Sequence, residues 1–369
     1  MKVLWLTFIP SPYRCSFFEE LGKKCDLTVL FERASSNIRG NVWDDFKFSG
    51  YEGKILPGVT IGGHDRFCPS VTKYLLDRSY DKIVISNPTS PTGIYASAVL
   101  KIFGRKYIVE SDGAFPSGTG GIKGKIKKFV MADAEVCFST ADTHDEYYME
   151  SGVKKENLRR YPFTSVGDKD IENAHKLLRE NLKEELKAKL GMTETKIILS
   201  VGRFSYENGY GKGFDILLNV SQKLENTGIY IVGDEPTEEF TNRKTNEKLD
   251  NVHFIGFKTP AELAEYYTAS DVFVLLTRGD VWGLVINEAM MYGLPVVTTD
   301  KCVAGVELIN NGENGYVVSL DNQEIIAERI NDILNNNSLT NVMRNNNLSL
   351  INGYTFEKMA DAHMSVFEE

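Results

Sequence analysis

Two carboxylate side chains, Asp280 and Glu288, lie eight positions apart in the C-terminal half of the chain. Apolar runs on either side predict buried strands over 271–276 and 295–299, with a helix that begins at Gly283 between them. The N-terminus of a helix that follows a strand attracts phosphate. Carboxylates only accept hydrogen bonds, so they suit the hydroxyl groups of a sugar rather than the phosphate itself. The segment therefore predicts a nucleotide-sugar site, whereas the same spacing without flanking strands would indicate a solvated helix face.

Two cationic residues, Arg203 and Lys212, form a second pattern. Arg203 follows Gly202 at the end of a strand predicted over 196–201, and Lys212 precedes the next amphipathic helix. Glycine lets the backbone turn sharply, so both cations are placed where they could hold one anion. Charge-assisted hydrogen bonds contribute about 1.5 to 3 kcal/mol each, and they help most when charge builds on a departing diphosphate. The alternative is an exposed Arg and Lys at helix ends.

The two acidic residues, with seven residues between them, resemble the signature of retaining glycosyltransferases of the GT-B fold, specifically glycosyltransferase family 4. In that family the first acid is usually Glu, whereas Asp280 has a side chain about 1.5 Å shorter. The resemblance implies that Arg203 and Lys212 bind the donor diphosphate and that Glu288 accepts hydrogen bonds from the ribose hydroxyls. It also implies that the cations and the helix terminus neutralise the diphosphate without a metal ion.

The resemblance further defines the expected donor site. Gly256 and Phe257 follow a predicted strand and would lie near the nucleotide base, although a turn and a core aromatic are the alternative. Asp280 and the backbone after Gly283 would face the donor sugar and phosphates. The expected donor-binding residues are Gly202, Arg203, Lys212, Gly256, Phe257, Asp280, Gly283, Leu284, Val285 and Glu288. The expected catalytic residues are Arg203, Lys212, Asp280 and Asp112.

Polar residues that follow predicted strands in the N-terminal half are candidates for the acceptor side. Tyr13 and Arg14 follow the first strand and two prolines, while Asn87 and Asp112 follow later strands. Many members of the resembling family carry His-Gly where Asp112 and Gly113 stand here. Asp112 could bind the donor sugar or assist the acceptor hydroxyl, and a turn-forming Asp-Gly is the alternative. For Tyr13 and Arg14, the alternative is capping and packing of the helix.

Short β-branched and aromatic runs alternate with longer amphipathic stretches, which predicts an α/β protein with parallel sheets. The 369 residues exceed the usual size of a single core, and a charged segment at 166–191 separates two Rossmann-like halves. We expect domains at 1–170 and 171–353 facing a central cleft, with a helix at 354–369 that by resemblance crosses back to the first domain. The predicted strands cover 2–8, 26–31, 82–86, 106–110 and 135–139 in the first half, and 196–201, 228–232, 252–255, 271–276, 295–299 and 316–318 in the second.

Composition limits the class of protein. The formal net charge of -9 opposes general nucleic-acid binding. The five cysteines are odd in number and scattered, so we expect reduced thiols in the cytoplasm and neither a disulfide framework nor a zinc site. No apolar run approaches the roughly 20 residues of a membrane span, and residues 1–8 predict a first strand rather than a signal peptide. Asp168 and Asp170 match an Asp-x-Asp metal-binding string, but their place in the charged segment argues against a metal ion.

A basic cluster, Ile122–Val130, stands out in this acidic sequence. On a helix, Ile122, Ile126, Phe129 and Val130 would share a face flanked by lysines, as in helices that lie on anionic membranes. About 1 kcal/mol per lysine near such a surface would suffice for reversible docking. A sheet-covering helix with a solvated basic face is the alternative, and both stay open.

These patterns, together with the resemblance, predict a metal-independent glycosyltransferase of the hexosyltransferase type, and the resemblance alone implies that it is retaining. Its expected donor is a UDP-sugar, and its acceptor is a hydroxyl of a bacterial surface glycan or of a lipid-linked glycan precursor. We expect a cytoplasmic location, at the inner face of the plasma membrane if the basic cluster docks there. Two alternatives stay open: a GT-B sugar-nucleotide epimerase or hydrolase, and a catalytically silent glycosyltransferase-like partner protein in which Asp280 marks decay of the site.

Overall fold

The computed structural model describes residues 1–34, 48–63, 65–118 and 120–369. The chain divides into two compact units, one formed by residues 1–164 and 355–369 and the other by residues 165–354. The expected boundary at 170/171 falls inside a helix of the second unit, Asp168–Arg179. The charged segment at 166–191 is therefore part of the second unit, where it forms this helix and a shorter one, Lys183–Lys189.

The first unit contains a seven-stranded parallel sheet and a short antiparallel hairpin. Its strands are β1 (Lys2–Thr7), β2 (Asp26–Phe31), β3 (Glu52–Ile55), β4 (Val59–Ile61), β5 (Asp65–Phe67), β6 (Lys82–Ile85), β7 (Ile108–Glu110), β8 (Val136–Ser139) and β9 (Leu158–Arg160). The sheet order is β3-β2-β1-β6-β7-β8-β9, and β4 pairs with β5. The chain builds outward from β1 in both directions, so the gap between β1 and β6 is a topological switch point. Ligands of such sheets bind there, beyond the carboxyl ends of the strands.

The helices of the first unit cover both faces of this sheet's core strands. They are α1 (Pro12–Gly22), α2 (Thr72–Leu75), α3 (Pro91–Ile102), α4 (Gly121–Met131) and α5 (Asp142–Glu150), with 3₁₀ turns at Pro69–Val71 and Lys155–Asn157. The start of α3 follows from its sequence, because Ser90 accepts a hydrogen bond from the Gly93 N–H at 2.9 Å and Pro91 fits the first helical position. Strand β1 is apolar and buried along almost its whole length, as expected for a central parallel strand.

The second unit repeats this design with a six-stranded parallel sheet. Its strands are β10 (Lys196–Val201), β11 (Thr227–Val232), β12 (Val252–Ile255), β13 (Val272–Leu275), β14 (Val296–Thr299) and β15 (Gly315–Val318). The order is β12-β11-β10-β13-β14-β15, which places a topological switch point between β10 and β13. Its helices are α6 (Asp168–Arg179), α7 (Lys183–Lys189), α8 (Phe214–Ser221), α9 (Glu238–Asn246), α10 (Pro260–Ala269), α11 (Leu284–Met291), α12 (Val303–Leu308), α13 (Gln323–Asn335) and α14 (Asn337–Leu350), with 3₁₀ turns at Glu207–Gly209 and Ile351–Gly353.

The C-terminal helix, α15 (Phe356–Phe367), belongs to the first unit although the preceding residues belong to the second. It packs against α1, and the buried His363 ring lies 4.1 Å from the Phe138 ring and 4.8 Å from the Tyr161 ring, centroid to centroid. Burial lowers the pKa of His363 to about 3, so this histidine is a neutral packing residue. The predicted return of the last helix to the N-terminal domain is confirmed.

The buried strands were predicted within two residues, but four strands were missed. The six predicted strands of the second half correspond to β10–β15, since each is a short apolar run. The missed strands are β3, β4, β5 and β9, which have few buried apolar side chains. Their positions at the sheet edges and in the hairpin explain why no apolar pattern marked them.

The basic cluster forms α4, and the apolar side chains predicted to share one face differ in burial. Val130 is fully buried in the first unit's core, where its carbonyl accepts a hydrogen bond from the Tyr107 hydroxyl at 2.9 Å. Ile122 and Phe129 are exposed. The helix thus covers the sheet with its C-terminal end and leaves two apolar side chains uncovered. Within the described ranges, no helix has the length and apolar character that a membrane span requires.

Candidate active site

The predicted cations and the first predicted acid lie at the switch point of the second sheet. Gly202 and Arg203 directly follow β10, and the loop 276–283 follows the adjacent β13. In this loop the Asp280 carboxylate bonds to the Lys212 ammonium at 2.5 Å. The two side chains are only 18% and 17% exposed. The sequence pattern placed both residues in one site but did not predict this direct ion pair.

The backbone holds Lys212 in this position. Gly213 has a φ of 71°, and a Cβ there would lie 1.8 Å from the Leu276 carbonyl oxygen, so only glycine allows the approach to the end of β13. The Arg278 N–H and the Thr277 hydroxyl both donate to the Gly211 carbonyl at 2.9 Å. The loop that carries Lys212 is therefore fixed to the loop that carries Asp280.

Gly202 and Arg203 are close to the same ion pair. A Cβ added to Gly202 would lie 3.1 Å from Cγ of Lys212, so the lysine stem crosses the backbone at the end of β10. After Arg203, the N–H groups of Phe204 and Ser205 both donate to the Asp234 carboxylate, the second at 3.1 Å. Asp234 follows β11, and it thereby fixes the turn that leads away from Arg203.

Asp280 has a further set of backbone contacts. Its Oδ1 accepts a hydrogen bond from the Trp282 N–H at 3.3 Å, and its own N–H donates to the Lys301 carbonyl at 2.9 Å. Gly283 then caps α11 with a φ of 99°. Leu284 and Val285 occupy the first turn of this helix, where N–H groups have no partner within the helix. The loop therefore presents a carboxylate, a lysine and a helix N-terminus in succession.

Glu288 belongs to a different hydrogen-bonded group of the same unit. The hydroxyls of Ser165 and Tyr267 both donate to its carboxylate, each at 3.1 Å. Burial raises the pKa of Glu288, the two hydroxyl donors act in the opposite direction, and the nearby Asp170 carboxylate raises it further. Tyr267 is itself held by stacking on Tyr292, with ring centroids 5.2 Å apart and planes within 5°. A carboxylate accepts about four hydrogen bonds, so Glu288 can still bind ligand hydroxyls.

The remaining predicted donor residues lie at the edge of the second sheet. Gly256 and Phe257 follow β12, which is two strands away from β10. The Phe257 side chain is 69% exposed rather than part of the core. Its alternative interpretation as a core aromatic is therefore wrong, and its place beside the base stays a prediction.

Asp168 and Asp170 have a structural role in α6. Asp170 accepts a hydrogen bond from the Gly167 N–H at 2.8 Å, and both acids lie in the first turn, where negative charge is favourable. Among the described residues, no group of three or more His, Cys, Asp or Glu side chains is placed to hold a metal ion.

In the first unit, three of the predicted acceptor-side residues contact each other at its sheet's switch point. The buried Arg14 guanidinium donates to Asp112, which follows β7, and the Tyr13 hydroxyl donates to the same carboxylate at 2.7 Å. Asn87, which follows β6, instead donates to Glu32 at 3.3 Å. The pattern thus brought together Tyr13, Arg14 and Asp112, and it placed Asn87 in a neighbouring group.

A fully buried acid, Glu110, completes the first unit's group and was not predicted. Arg14 Nη2 lies 2.8 Å from Glu110 Oε1, and the hydroxyls of Ser86 and Tyr161 donate to the same carboxylate at 2.6 Å. Burial opposes the charged form of Arg14, but the carboxylates of Asp112 and Glu110 outweigh it and raise the guanidinium pKa. The sequence shows that Glu110 ends the strand predicted over 106–110, but it does not show that Arg14, Ser86 and Tyr161 contact this acid.

Comparison with known proteins identifies the second unit. Residues 182–349 match the family model described as glycosyl transferases group 1. This segment, called the group 1 domain below, is therefore similar to that family. The group 1 domain contains the Lys212–Asp280 pair, Arg203 and Glu288, whereas Ser165 lies before it.

Two curated relatives are similar to this chain over part of its length. An uncharacterized glycosyltransferase of Haemophilus influenzae is 33% identical over 201 residues, which are 52% of this chain and 52% of the relative. The capsular polysaccharide biosynthesis glycosyltransferase CapM of Staphylococcus aureus is 24% identical over 60% of this chain and 58% of the relative. The chain spans about half the length of the first curated relatives that it matches.

Solved structures match the whole chain. The crystal structure of Anabaena HepE in complex with UDP superimposes with a TM-score of 0.75 at 17% identity, covering 100% of both chains. At this identity the likeness concerns the fold, and the fold is GT-B. The group 1 domain is thus the C-terminal half of a GT-B chain.

Sequence reasoning missed the residues that support the predicted ones. Ser165 and Tyr267 hold Glu288 but lie 123 and 21 positions away from it. Tyr267 offered a weak signal, since it lies in the last turn of α10, the helix that leads into β13. Hydroxyl residues of this kind are common in helices, so only the folded chain distinguishes those that face a carboxylate.

Proposed function

We propose that this chain is a retaining, metal-independent glycosyltransferase of family 4 that transfers a sugar from a UDP-sugar to a hydroxyl of a glycan. The observation that carries the proposal is the Lys212–Asp280 pair at the carboxyl end of β13, beside Gly202 and Arg203 and before the N-terminus of α11. A cation, a helix terminus and a hydrogen-bond acceptor there fit the diphosphate and hydroxyls of one nucleotide sugar.

The chemistry follows from where charge develops. When the bond between the sugar C1 and the diphosphate oxygen breaks, negative charge grows on the departing diphosphate. Lys212 and Arg203 stabilise this charge, and they do so more strongly in the transition state than in the ground state. The acceptor oxygen forms the new bond on the same face of the sugar, and its proton passes to the departing diphosphate. The assignment of retention rests on the resemblance to family 4.

Asp280 has two roles in this proposal. Its carboxylate orients Lys212 before the donor binds, at a distance of 2.5 Å. Once the diphosphate shares the lysine, the remaining acceptor capacity of Asp280 is available to a sugar hydroxyl. Glu288, held by Ser165 and Tyr267, accepts hydrogen bonds from the ribose hydroxyls.

The nature of the substrates is supported by similar proteins. HepE forms a crystalline complex with UDP, and CapM is named for capsular polysaccharide biosynthesis. These names support a UDP-sugar donor and an acceptor hydroxyl on a surface glycan or a lipid-linked precursor. Tyr13, Arg14, Asn87 and Asp112 of the first unit are the proposed acceptor-side residues.

The proposed location is the cytoplasmic face of a membrane, reached through the first unit. Ile122 and Phe129 of α4 are exposed, as are Ile102 and Phe103 at the end of α3. The Lys101 ammonium lies 4.3 Å from the centroid of the Phe129 ring, which joins the two helix ends into one surface. Lys123, Lys125 and Lys128 of α4 are exposed as well. Apolar side chains within a cationic border fit an anionic lipid surface.

A panel of nucleotide sugars tests the function. With a glycan acceptor present, we expect transfer from one UDP-sugar, with the anomeric configuration kept in the product as read by NMR. Donor turnover without an acceptor would indicate the hydrolase or epimerase instead. Calorimetry with UDP separates the third possibility: we expect binding by the intact protein and weaker binding by Glu288→Ala, whereas no binding would indicate a catalytically silent partner.

A further inference from the structure

Among the described residues, the first unit's group has two carboxylates and one cation. Arg14 is the one cation in this part of the chain that contacts both Glu110 and Asp112. Glu110 is fully buried and also receives the hydroxyls of Ser86 and Tyr161. Asp112 is 32% exposed and receives only one further donor in this group, the Tyr13 hydroxyl. The surplus negative charge therefore lies at the exposed end, on Asp112.

A buried donor lies beside this exposed carboxylate. Arg14 is 4% exposed, and within the described part of the chain its Nη1 group has no hydrogen-bond partner. The guanidinium carbon lies 5.4 Å from the centroid of the Phe163 ring, so an aromatic face rather than an acceptor covers part of the group. Buried polar groups are normally hydrogen-bonded. An orphaned N–H group next to an exposed carboxylate marks a place where a ligand's oxygen can bind.

We propose that Asp112 and Arg14 form a subsite for a neutral, hydroxyl-bearing sugar, in which Asp112 contacts the ligand and Glu110 positions Arg14. A hydroxyl can donate to the Asp112 carboxylate and accept from the Arg14 N–H at the same time. A sugar carboxylate or phosphate would instead meet the uncompensated charge of Asp112. The subsite thus selects neutral sugars over uronic acids and sugar phosphates. This inference rests on the proposed function, because it names the class of sugar that the first unit accepts.

Because Arg14 contacts the ligand in this proposal, the shape of its side chain matters. One planar guanidinium donates to two carboxylates that belong to the end of β7 and the loop after it. Both contacts are made by Nη2, and the guanidinium keeps its second nitrogen, Nη1, without a partner among the described residues. A lysine keeps the positive charge but is a point donor that lacks this second nitrogen. Arg14→Lys therefore keeps the charge beside the two acids and removes the donor proposed for the ligand.

Saturation-transfer NMR on the 369-residue chain with UDP present tests the subsite. The probes are methyl α-glycosides of glucose, galactose, mannose and N-acetylglucosamine, together with the uronates of the first two. We expect at least one neutral glycoside to bind wild type about tenfold more tightly than its uronate. Asp112→Asn removes the charge, so we expect this preference to fall to about twofold or less. Arg14→Lys should weaken the neutral glycoside about tenfold.

Asp142→Asn is the matched control, since Asp142 is an exposed acid of the same unit that pairs with Arg160. It should leave the preference unchanged. An unchanged preference in Asp112→Asn, or no binding of any neutral glycoside to wild type, would overturn the subsite. Calorimetry with UDP reports separately on the second unit. If wild type did not bind UDP, the proposed function would be overturned, whether or not the glycosides bind.

Discussion

Replacement of Lys212 by methionine tests the core of the proposed mechanism. Methionine keeps most of the side chain's length and removes its charge. A charge-assisted hydrogen bond to the diphosphate is worth about 1.5 to 3 kcal/mol, so we expect kcat/KM for the UDP-sugar to fall by about 10-fold to 150-fold. The loss should appear mainly in kcat, because the lysine binds the leaving diphosphate more tightly as its charge grows.

The ion pair with Asp280 adds a second effect. Its side chains are 17% and 18% exposed, so Lys212→Met leaves a mostly buried carboxylate beside an anionic ligand. Breaking a fully buried pair costs about 3 to 5 kcal/mol, and partial exposure reduces this cost. The double variant Lys212→Met/Asp280→Asn removes the uncovered charge. We therefore expect it to recover UDP affinity and thermal stability relative to Lys212→Met, but not kcat.

Lys223 provides a matched control within the same unit. It pairs with Glu324, and their side chains are 39% and 80% exposed. A surface pair of this kind contributes about 0 to 1 kcal/mol, so Lys223→Met should change kcat/KM less than twofold. Steady-state kinetics, calorimetry with UDP and thermal unfolding complete the comparison. If folded Lys212→Met turned over the donor as fast as Lys223→Met, the assignment of Lys212 to the departing diphosphate would be wrong.

Three further predictions concern separate parts of the molecule. Tyr267→Phe removes a donor to Glu288 and should weaken UDP binding about fivefold by calorimetry, at a cost of about 1 kcal/mol; Tyr230→Phe, which loses a hydrogen bond to Glu194 instead, should not weaken it. Burial raises the pKa of Glu32 to about 7, so the folded state disfavours its ionisation and loses stability as the pH rises from about 4.5 to 7. The stability of Glu32→Gln relative to wild type should therefore rise across this range, by up to about 3 kcal/mol in the free energy of urea unfolding. If the difference in unfolding free energy between the two proteins did not change with pH, the burial of Glu32 would not be the cause. Phe129→Ser should lower binding to vesicles of anionic phosphatidylglycerol about fivefold or more in flotation assays, whereas Ile325→Ser, an exposed apolar residue of the second unit, should leave it unchanged.

The parts of the fold that were predictable are those where burial dictates residue type. Strands β1 and β13 are surrounded by helices and neighbouring strands, so their sequences had to be short apolar runs. Strand β9, with the sequence Leu-Arg-Arg, lies at a sheet edge and needs no apolar pattern. The environment of Val130 stayed open in the sequence, because a lysine-rich helix can lie on a membrane or cover a sheet, and helical periodicity does not distinguish a lipid from a core.

The candidate site could be predicted only as far as chain position determines spatial position. Residues that follow the strands of a parallel sheet meet at one edge, which is why Gly202, Arg203 and Asp280 were predicted to lie in one site. The Lys212–Asp280 contact spans 68 positions and depends on the close approach at Gly213. No local pattern specifies such a contact, so the lysine's partner became known only from the fold.

The two units use their switch points in chemically different ways. At the second unit's edge, the cation Lys212 has one acidic partner and lies beside Arg203 and a helix N-terminus, so the edge as a whole favours an anion. At the first unit's edge, one arginine is shared by two acids, which fits the proposed preference for hydroxyls over anions. The proposed transfer requires this asymmetry, because its donor carries a diphosphate and its acceptor presents a neutral hydroxyl. If the first unit bound UDP as tightly as the second, the division of roles between the two sheets would be wrong.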